Sequence, residues 1–139
     1  MIILDTNVVS ETMRPEPDGN VLAWLESMPW RLSHITVMTV AELLEGVFRM
    51  PAGRRRDAVQ EQVDSLLMTY DGRVLGVDPR TAPYFAEIRA SRRRHGRPID
   101  VPDAWIAAAC RRHDVPLVTR NVKDFEGTGI AVINPWETA

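Results

Sequence analysis

The stretch Met1-Ile2-Ile3-Leu4-Asp5-Thr6-Asn7 decides the fold, because an apolar strand opens the chain and ends on a carboxylate followed by two small polar residues. In open α/β sheets, ligands bind outside the carboxyl ends of the strands. Asp5 is therefore a candidate site residue, and the acids that join it are to be sought after the later strands.

Beyond this stretch, strands and helices alternate along the chain. Apolar and alternating runs predict further strands at 31–37, 73–77, 115–119 and 130–133. Amphipathic or capped segments predict helices at 6–13, 20–28, 39–50, 54–70, 79–94 and 100–112. Strands separated by helices pair in parallel, so we predict an α/β protein, a three-layer α/β/α sandwich around a mainly parallel sheet of roughly five strands.

Length and composition indicate one folded domain over residues 1–139, with 45% apolar and 26% charged residues. The chain opens without a charged leader, and no apolar run approaches the roughly 20 residues that span a bilayer. We therefore expect a cytoplasmic protein with no membrane partner. Cys110 is the single cysteine, which excludes an internal disulfide, and its alanine neighbours predict a buried structural thiol.

Nearly all the basic charge is arginine, and the formal net charge of −2 hides three arginine clusters at 54–56, 92–94 and 111–112. Arginine clusters on helices favour solvated faces. Contact with nucleic-acid phosphates is the second interpretation.

Acidic or amide side chains follow the predicted strands or open the predicted helices: Asp5, Glu42, Asp103, and Asn121 with Asp124. Each position also has a purely structural explanation. Asp5 could cap a helix, and Glu42 could belong to a capping box at 39–42. Asp103 could interact favourably with the dipole at a helix start, and residues 121–124 could form an Asx-type turn.

If these positions converge on one crevice, their carboxylates repel one another by roughly 4 kcal/mol per pair at 4 Å. A divalent cation with oxygen ligands offsets that repulsion, and carboxylate, amide and hydroxyl oxygens are the ligands that Mg²⁺ and Mn²⁺ prefer. No cluster of histidine and cysteine competes for zinc.

Four motifs, taken in chain order, resemble those of PIN-domain proteins: Ile3-Leu4-Asp5-Thr6-Asn7, Thr39-Val40-Ala41-Glu42-Leu43, Asp103-Ala104-Trp105-Ile106-Ala107-Ala108 and Thr119-Arg120-Asn121. The chain is most similar to the ribonuclease toxins of VapC type from type II toxin–antitoxin systems. The resemblance includes the subgroup that ends in Asn-Pro-Trp, as residues 134–136 do here.

The resemblance implies that Asp5, Glu42 and Asp103 are catalytic acids that bind Mg²⁺ or Mn²⁺. It suggests secondary contributions from Thr6, Asn7 and Thr119, whose hydroxyl or amide groups orient acids, waters or phosphate, with capping as the alternative.

Residue 121 departs from the pattern, because many relatives carry a fourth acid there. Either Asn121 serves as a neutral ligand, or Asp124 enters the site from three residues on. The departure puts a second bound metal ion in doubt.

The implied function is that of the toxin of a type II pair, which hydrolyses RNA phosphodiester bonds with the help of the metal ion. The resemblance also implies a homodimer, inhibition by a cognate antitoxin, and binding of operator DNA only through that antitoxin. The alternative is a catalytically weak PIN-like binding subunit that acts as co-repressor with a DNA-binding antitoxin.

Two other enzyme classes also begin with a strand of this kind. A phosphatase of haloacid-dehalogenase type needs a second aspartate two residues after the first, where this chain has Asn7, although Lys123 lies roughly where such an enzyme keeps a lysine. A dinucleotide-binding fold is disfavoured because no Gly-x-Gly-x-x-Gly follows the first strand.

Overall fold

Five short parallel strands form the sheet in the computed structural model, which describes residues 1–137. They are β1 (Ile2–Leu4), β2 (Ser33–Thr36), β3 (Val74–Leu75), β4 (Leu117–Val118) and β5 (Val132–Ile133). Their order is β3-β2-β1-β4-β5, which places the opening strand at the centre. Ile3 of β1 pairs with His34 of β2 on one side and with Leu117 of β4 on the other.

Six helices cover the two faces of this sheet: α1 (Thr6–Glu11), α2 (Gly19–Glu26), α3 (Val37–Phe48), α4 (Arg54–Thr69), α5 (Ala82–Arg94) and α6 (Val101–His113). Successive residues of a strand point to opposite faces. Accordingly, Ile3 packs into a core with Ile88 and Ile106 of α5 and α6, whereas Leu4 packs into a second core with helices α1 to α4. The predicted three-layer α/β/α sandwich is confirmed.

Several predicted elements start at other residues than expected. The helix predicted from residue 79 begins at Ala82, and the strands predicted from residues 115 and 130 begin at Leu117 and Val132. The strand predicted from residue 31 begins at Ser33, because Trp30–Leu32 form a 3-10 turn. The helix predicted from residue 39 begins at Val37, directly after β2. Thr36, the last residue of β2, pairs with Leu75, which is also the last residue of β3, so the pairing of the two strands ends there. Thr39 therefore lies inside α3, and the capping box at 39–42 does not form.

The Asx-type turn at 121–124, which was the structural alternative for this segment, does not form. Residues Val122–Phe125 form a 3-10 turn, and the side chain of Asn121 makes no capping hydrogen bond. Phe125, the last residue of this turn, is buried in the core beside α6.

Cys110 is buried, as predicted. No helix in residues 1–137 is both long and apolar enough to cross a bilayer.

Candidate functional site

Asp5 lies at the carboxyl end of the central strand and is 5% exposed. Its main-chain N–H donates to the carbonyl of Val118, which holds the end of β1 against β4. Oδ1 accepts a hydrogen bond from the N–H of Thr6 at 2.8 Å. Oδ2 accepts from the hydroxyl of Thr119 at 2.7 Å and from the amide of Asn7 at 3.3 Å. Asp5 thus caps α1 and faces the strand-end crevice at the same time.

The hydroxyl of Thr119 links the ends of β1 and β4. Besides donating to Asp5, it accepts from the side-chain amide of Asn7 at 3.1 Å and from the main-chain N–H of Asn121 at 3.0 Å. The Oδ1 atom of Asn7 accepts from the N–H of Arg120 at 3.2 Å. Two of the predicted secondary residues therefore fix the orientation of the Asp5 carboxylate.

Glu42 reaches the crevice from α3 and is exposed on one side. Partial burial raises its pKa, the Thr6 hydroxyl opposes this rise, and the negative charges of Asp5 and Asp100 add to it. Thr6 also shares a hydrogen bond of 3.0 Å with Thr39, which ties the first turns of α1 and α3 together.

Asp103 enters from the first turn of α6. Asp100 caps this helix and accepts a hydrogen bond from the N–H of Asp103 at 3.0 Å. Burial raises the pKa of Asp103 to about 7, and the negative charges of Asp100, Asp5, Asp124 and Glu42 contribute to the rise. Burial likewise raises the pKa of Asp5, against the opposing hydrogen bonds from Thr119 and Thr6. The three predicted acids therefore lie within one electrostatic field.

The two candidates for the fourth position lie in different places. Asp124 lines a cavity of about 220 Å³ together with Asp100 and Asp103, and its charge raises the pKa values of Asp5 and Asp103. Asn121 contributes its main-chain N–H to Thr119, while its side chain lines a neighbouring cavity. Two larger cavities along α4 contain none of the predicted site residues.

Sequence reasoning missed Asp100 as a member of the acidic cluster. Its three-residue spacing from Asp103 at one helix start places both carboxylates on the same helix face, and this spacing could have identified it.

The donor set has the chemistry of a site for a hard divalent cation. Among residues 1–137, no ion pair involves Asp5, Glu42 or Asp103. In that same range, no three acidic, histidine or cysteine side chains come close enough to form a closed metal-binding group. Mg²⁺ usually keeps several waters and takes only one or two protein carboxylates, so an open set of oxygen donors fits it.

Comparison with known proteins agrees with this geometry. The family model for the PIN domain matches residues 2–129. The chain is 38% identical to Toxin FitB of Neisseria gonorrhoeae, over 98% of this chain and 99% of that protein. It is 39% identical to VapC ribonuclease Y4jK of Sinorhizobium fredii, over the full length of both. A solved structure of FitAB bound to an IR36 DNA fragment superimposes with a TM-score of 0.93 at 36% identity, covering 100% of this chain and 98% of that chain.

Proposed function

Since the chain belongs to the PIN domain family, we propose that it is the toxin of a type II toxin–antitoxin pair and that it cleaves RNA phosphodiester bonds. The observation that carries the proposal is the group of carboxylates from Asp5, Glu42 and Asp103 at the carboxyl ends of the strands, where the charge of Asp5 raises the pKa of Glu42 and the charges of Asp5 and Glu42 raise the pKa of Asp103. A relative named as a toxin and another named as a ribonuclease align with nearly the whole chain, which supports the same function.

The proposal includes Mg²⁺ or Mn²⁺ as the cofactor, bound by Asp5, Glu42 and Asp103 either directly or through water, with Asp124 at the margin of the site. When bound, such an ion lowers the pKa of a water molecule and offsets the charge that develops on a phosphodiester during hydrolysis. The repulsion among the carboxylates supports this assignment, because no ion pair within residues 1–137 relieves it.

The residues around the acids would orient them for this chemistry. Both oxygens of Asp5 accept hydrogen bonds, so that the carboxylate keeps one orientation, and Oδ1, which accepts only from the N–H of Thr6, retains a lone pair for a ligand. With a pKa of about 7, Asp103 carries a proton part of the time near neutral pH. A cation that binds beside Asp103 would therefore favour its ionised form.

The proposed partners are a cognate antitoxin, a second copy of the chain, and operator DNA that is bound only through the antitoxin. The similarity to FitAB, which was solved bound to DNA, supports a DNA-associated complex of this kind. The proposed location is the cytoplasm, where RNA and a protein antitoxin are both accessible.

The test is cleavage of end-labelled total RNA by the partner-free protein, with Mg²⁺ or Mn²⁺ and with a chelator. Asp5→Asn should abolish cleavage while leaving the fold intact, because the amide keeps the shape but loses the charge. Asp71→Asn removes one negative charge from an exposed position after α4 and should cleave normally. Full activity of Asp5→Asn would refute the site, and the absence of cleavage by folded wild-type protein would refute the nuclease.

A further inference from the structure

Two cations that form no ion pair within residues 1–137 lie beside the acidic cluster. Arg120 directly follows Thr119, and its N–H is bonded to Asn7, so its main chain is fixed next to Asp5. Lys123 lies in the 3-10 turn that carries Asp124. Both side chains are exposed, and neither forms an ion pair within residues 1–137. Five other arginines in this range form ion pairs with carboxylates, as Arg97 does with Glu126.

These cations share a cavity that adjoins the acids. Its volume is about 360 Å³, and it is lined by Arg120, Asn121, Val122, Lys123, Asp124, Asn134 and Glu137. Asp124 also lines the cavity of Asp100 and Asp103, so the two cavities meet at this carboxylate. An RNA strand that lies across the acids would therefore continue from the negative side chains to the positive side chains of Arg120 and Lys123.

The guanidinium of Arg120 is held in place by the Asn-Pro-Trp motif. It lies over the indole of Trp136, 5.2 Å from the ring centroid. The indole packs against the core of helices α1 to α4. The main chain of Trp136 is fixed at both ends, since its N–H donates to Asn134 and its carbonyl accepts from Asn20. A guanidinium stacked on an aromatic ring keeps its N–H edge free, and that edge matches a phosphate in a bidentate geometry.

We propose that Arg120, oriented by Trp136, and Lys123 each hold one phosphate of the RNA close to the one that is cleaved. This inference rests on the proposed function, and it assigns the Asn-Pro-Trp motif a role in presenting a cation to the substrate. The contact is to the backbone, so it serves any RNA sequence that enters the site.

The salt dependence of RNA binding tests this assignment, because each phosphate contact that is lost lowers the slope of log K against log salt by about 0.7 for single strands. The measurement is filter binding of a labelled single-stranded oligoribonucleotide to the Asp5→Asn protein, which should leave the RNA intact. In that background, Arg120→Gln and Lys123→Gln should each reduce the slope by this amount and weaken binding by about fivefold at moderate salt.

A matched control is Arg31→Gln, which makes the same charge change on the exposed 3-10 turn before β2, at the opposite edge of the sheet. This variant should keep the parental slope. Arg120→Lys should also keep the slope, because it retains the charge. Thermal denaturation of each variant shows whether the fold is preserved.

In the active protein, Arg120→Gln should raise KM and leave kcat close to the wild-type value, since the contact is made in the ground state and in the transition state alike. Slopes of Arg120→Gln and Lys123→Gln equal to that of the parent would overturn the phosphate site and leave the nuclease standing. Absence of RNA cleavage by the wild type would instead overturn the proposed function, and this inference with it.

Discussion

At the scale of single residues, Thr119 determines how the central acid is presented. Its side chain is fully buried, and its hydroxyl donates to Asp5 while accepting from Asn7 and from the N–H of Asn121. Without that hydroxyl, the Oδ2 atom of Asp5 would keep only the 3.3 Å contact to Asn7. Removing a donor from a buried carboxylate oxygen destabilises the fold, because no hydrogen bond then compensates for the hydration that the oxygen lost on burial.

We therefore expect Thr119→Val to lower the free energy of unfolding by about 1–3 kcal/mol. The two side chains have nearly the same volume, so the loss isolates the hydroxyl. RNA cleavage should fall as well, because Asp5 is freed to change its orientation. Thr119→Ser retains the hydroxyl and should preserve most of the activity. Urea unfolding and cleavage assays measure both effects, and equal activity of the valine and serine variants would contradict this role for Thr119.

At the scale of the elements, one buried arginine joins three segments around the acids. Arg92 of α5 donates from Nε to the carbonyl of Arg97 at 2.6 Å. From Nη1 it donates to the carbonyls of Asp124 and Glu126, at 2.8 and 3.0 Å. The loop that leads to Asp100 and the turn that carries Asp124 are thereby both attached to α5.

Arg92→Met should consequently destabilise the protein by about 2–4 kcal/mol, since it removes three part-buried hydrogen bonds that a charged donor makes to carbonyl oxygens. The matched control is Arg93→Met, one residue along on the exposed face of α5, where we expect a change within about 0.5 kcal/mol. The measurement is urea unfolding of both variants under the same conditions. A similar loss in the two variants would show that the buried contacts of Arg92 contribute little.

Arg92 also illustrates where sequence reasoning reached its limit. The cluster at 92–94 was interpreted as a solvated face, and residues 93 and 94 are indeed exposed, but neighbouring arginines of one helix point in different directions. The partners of Arg92 are carbonyl groups, which every residue possesses, so composition cannot reveal them. In contrast, the parallel sheet and the position of Asp5 were predictable, because hydrophobic alternation and an acid after the first strand are local patterns. The start of α3 was not, since it depends on where β3 ends.

At the scale of the whole molecule, negative and positive charges are separated along the carboxyl edge of the sheet. The carboxylates of Asp5, Glu42 and Asp103 repel one another on one side. Arg120 and Lys123 lie on the other side, without ion pairs in the described part of the chain. A formal net charge of −2 conceals this arrangement. Repulsion among these carboxylates therefore destabilises the fold when they are ionised, and the free energy of unfolding should depend on pH for this reason.

The pKa of Asp103 is raised to about 7 in the folded protein, so the folded state binds a proton that the unfolded chain has lost above about pH 4. Stability must then decrease as pH rises from about 4 to about 7, and the Asp103 contribution must level off above that. The pKa of His113 is lowered by burial and contributes with the opposite sign near neutral pH, so wild type must be compared with Asp103→Asn.

Urea unfolding across this range, in chelator, should show the wild type losing stability relative to the variant as pH rises. Mg²⁺ should then stabilise the wild type more at about pH 8 than at about pH 5, because binding requires the ionised carboxylate. A stability difference between the two proteins that does not change with pH would show that Asp103 ionises at its ordinary pKa and that the acids do not share one field.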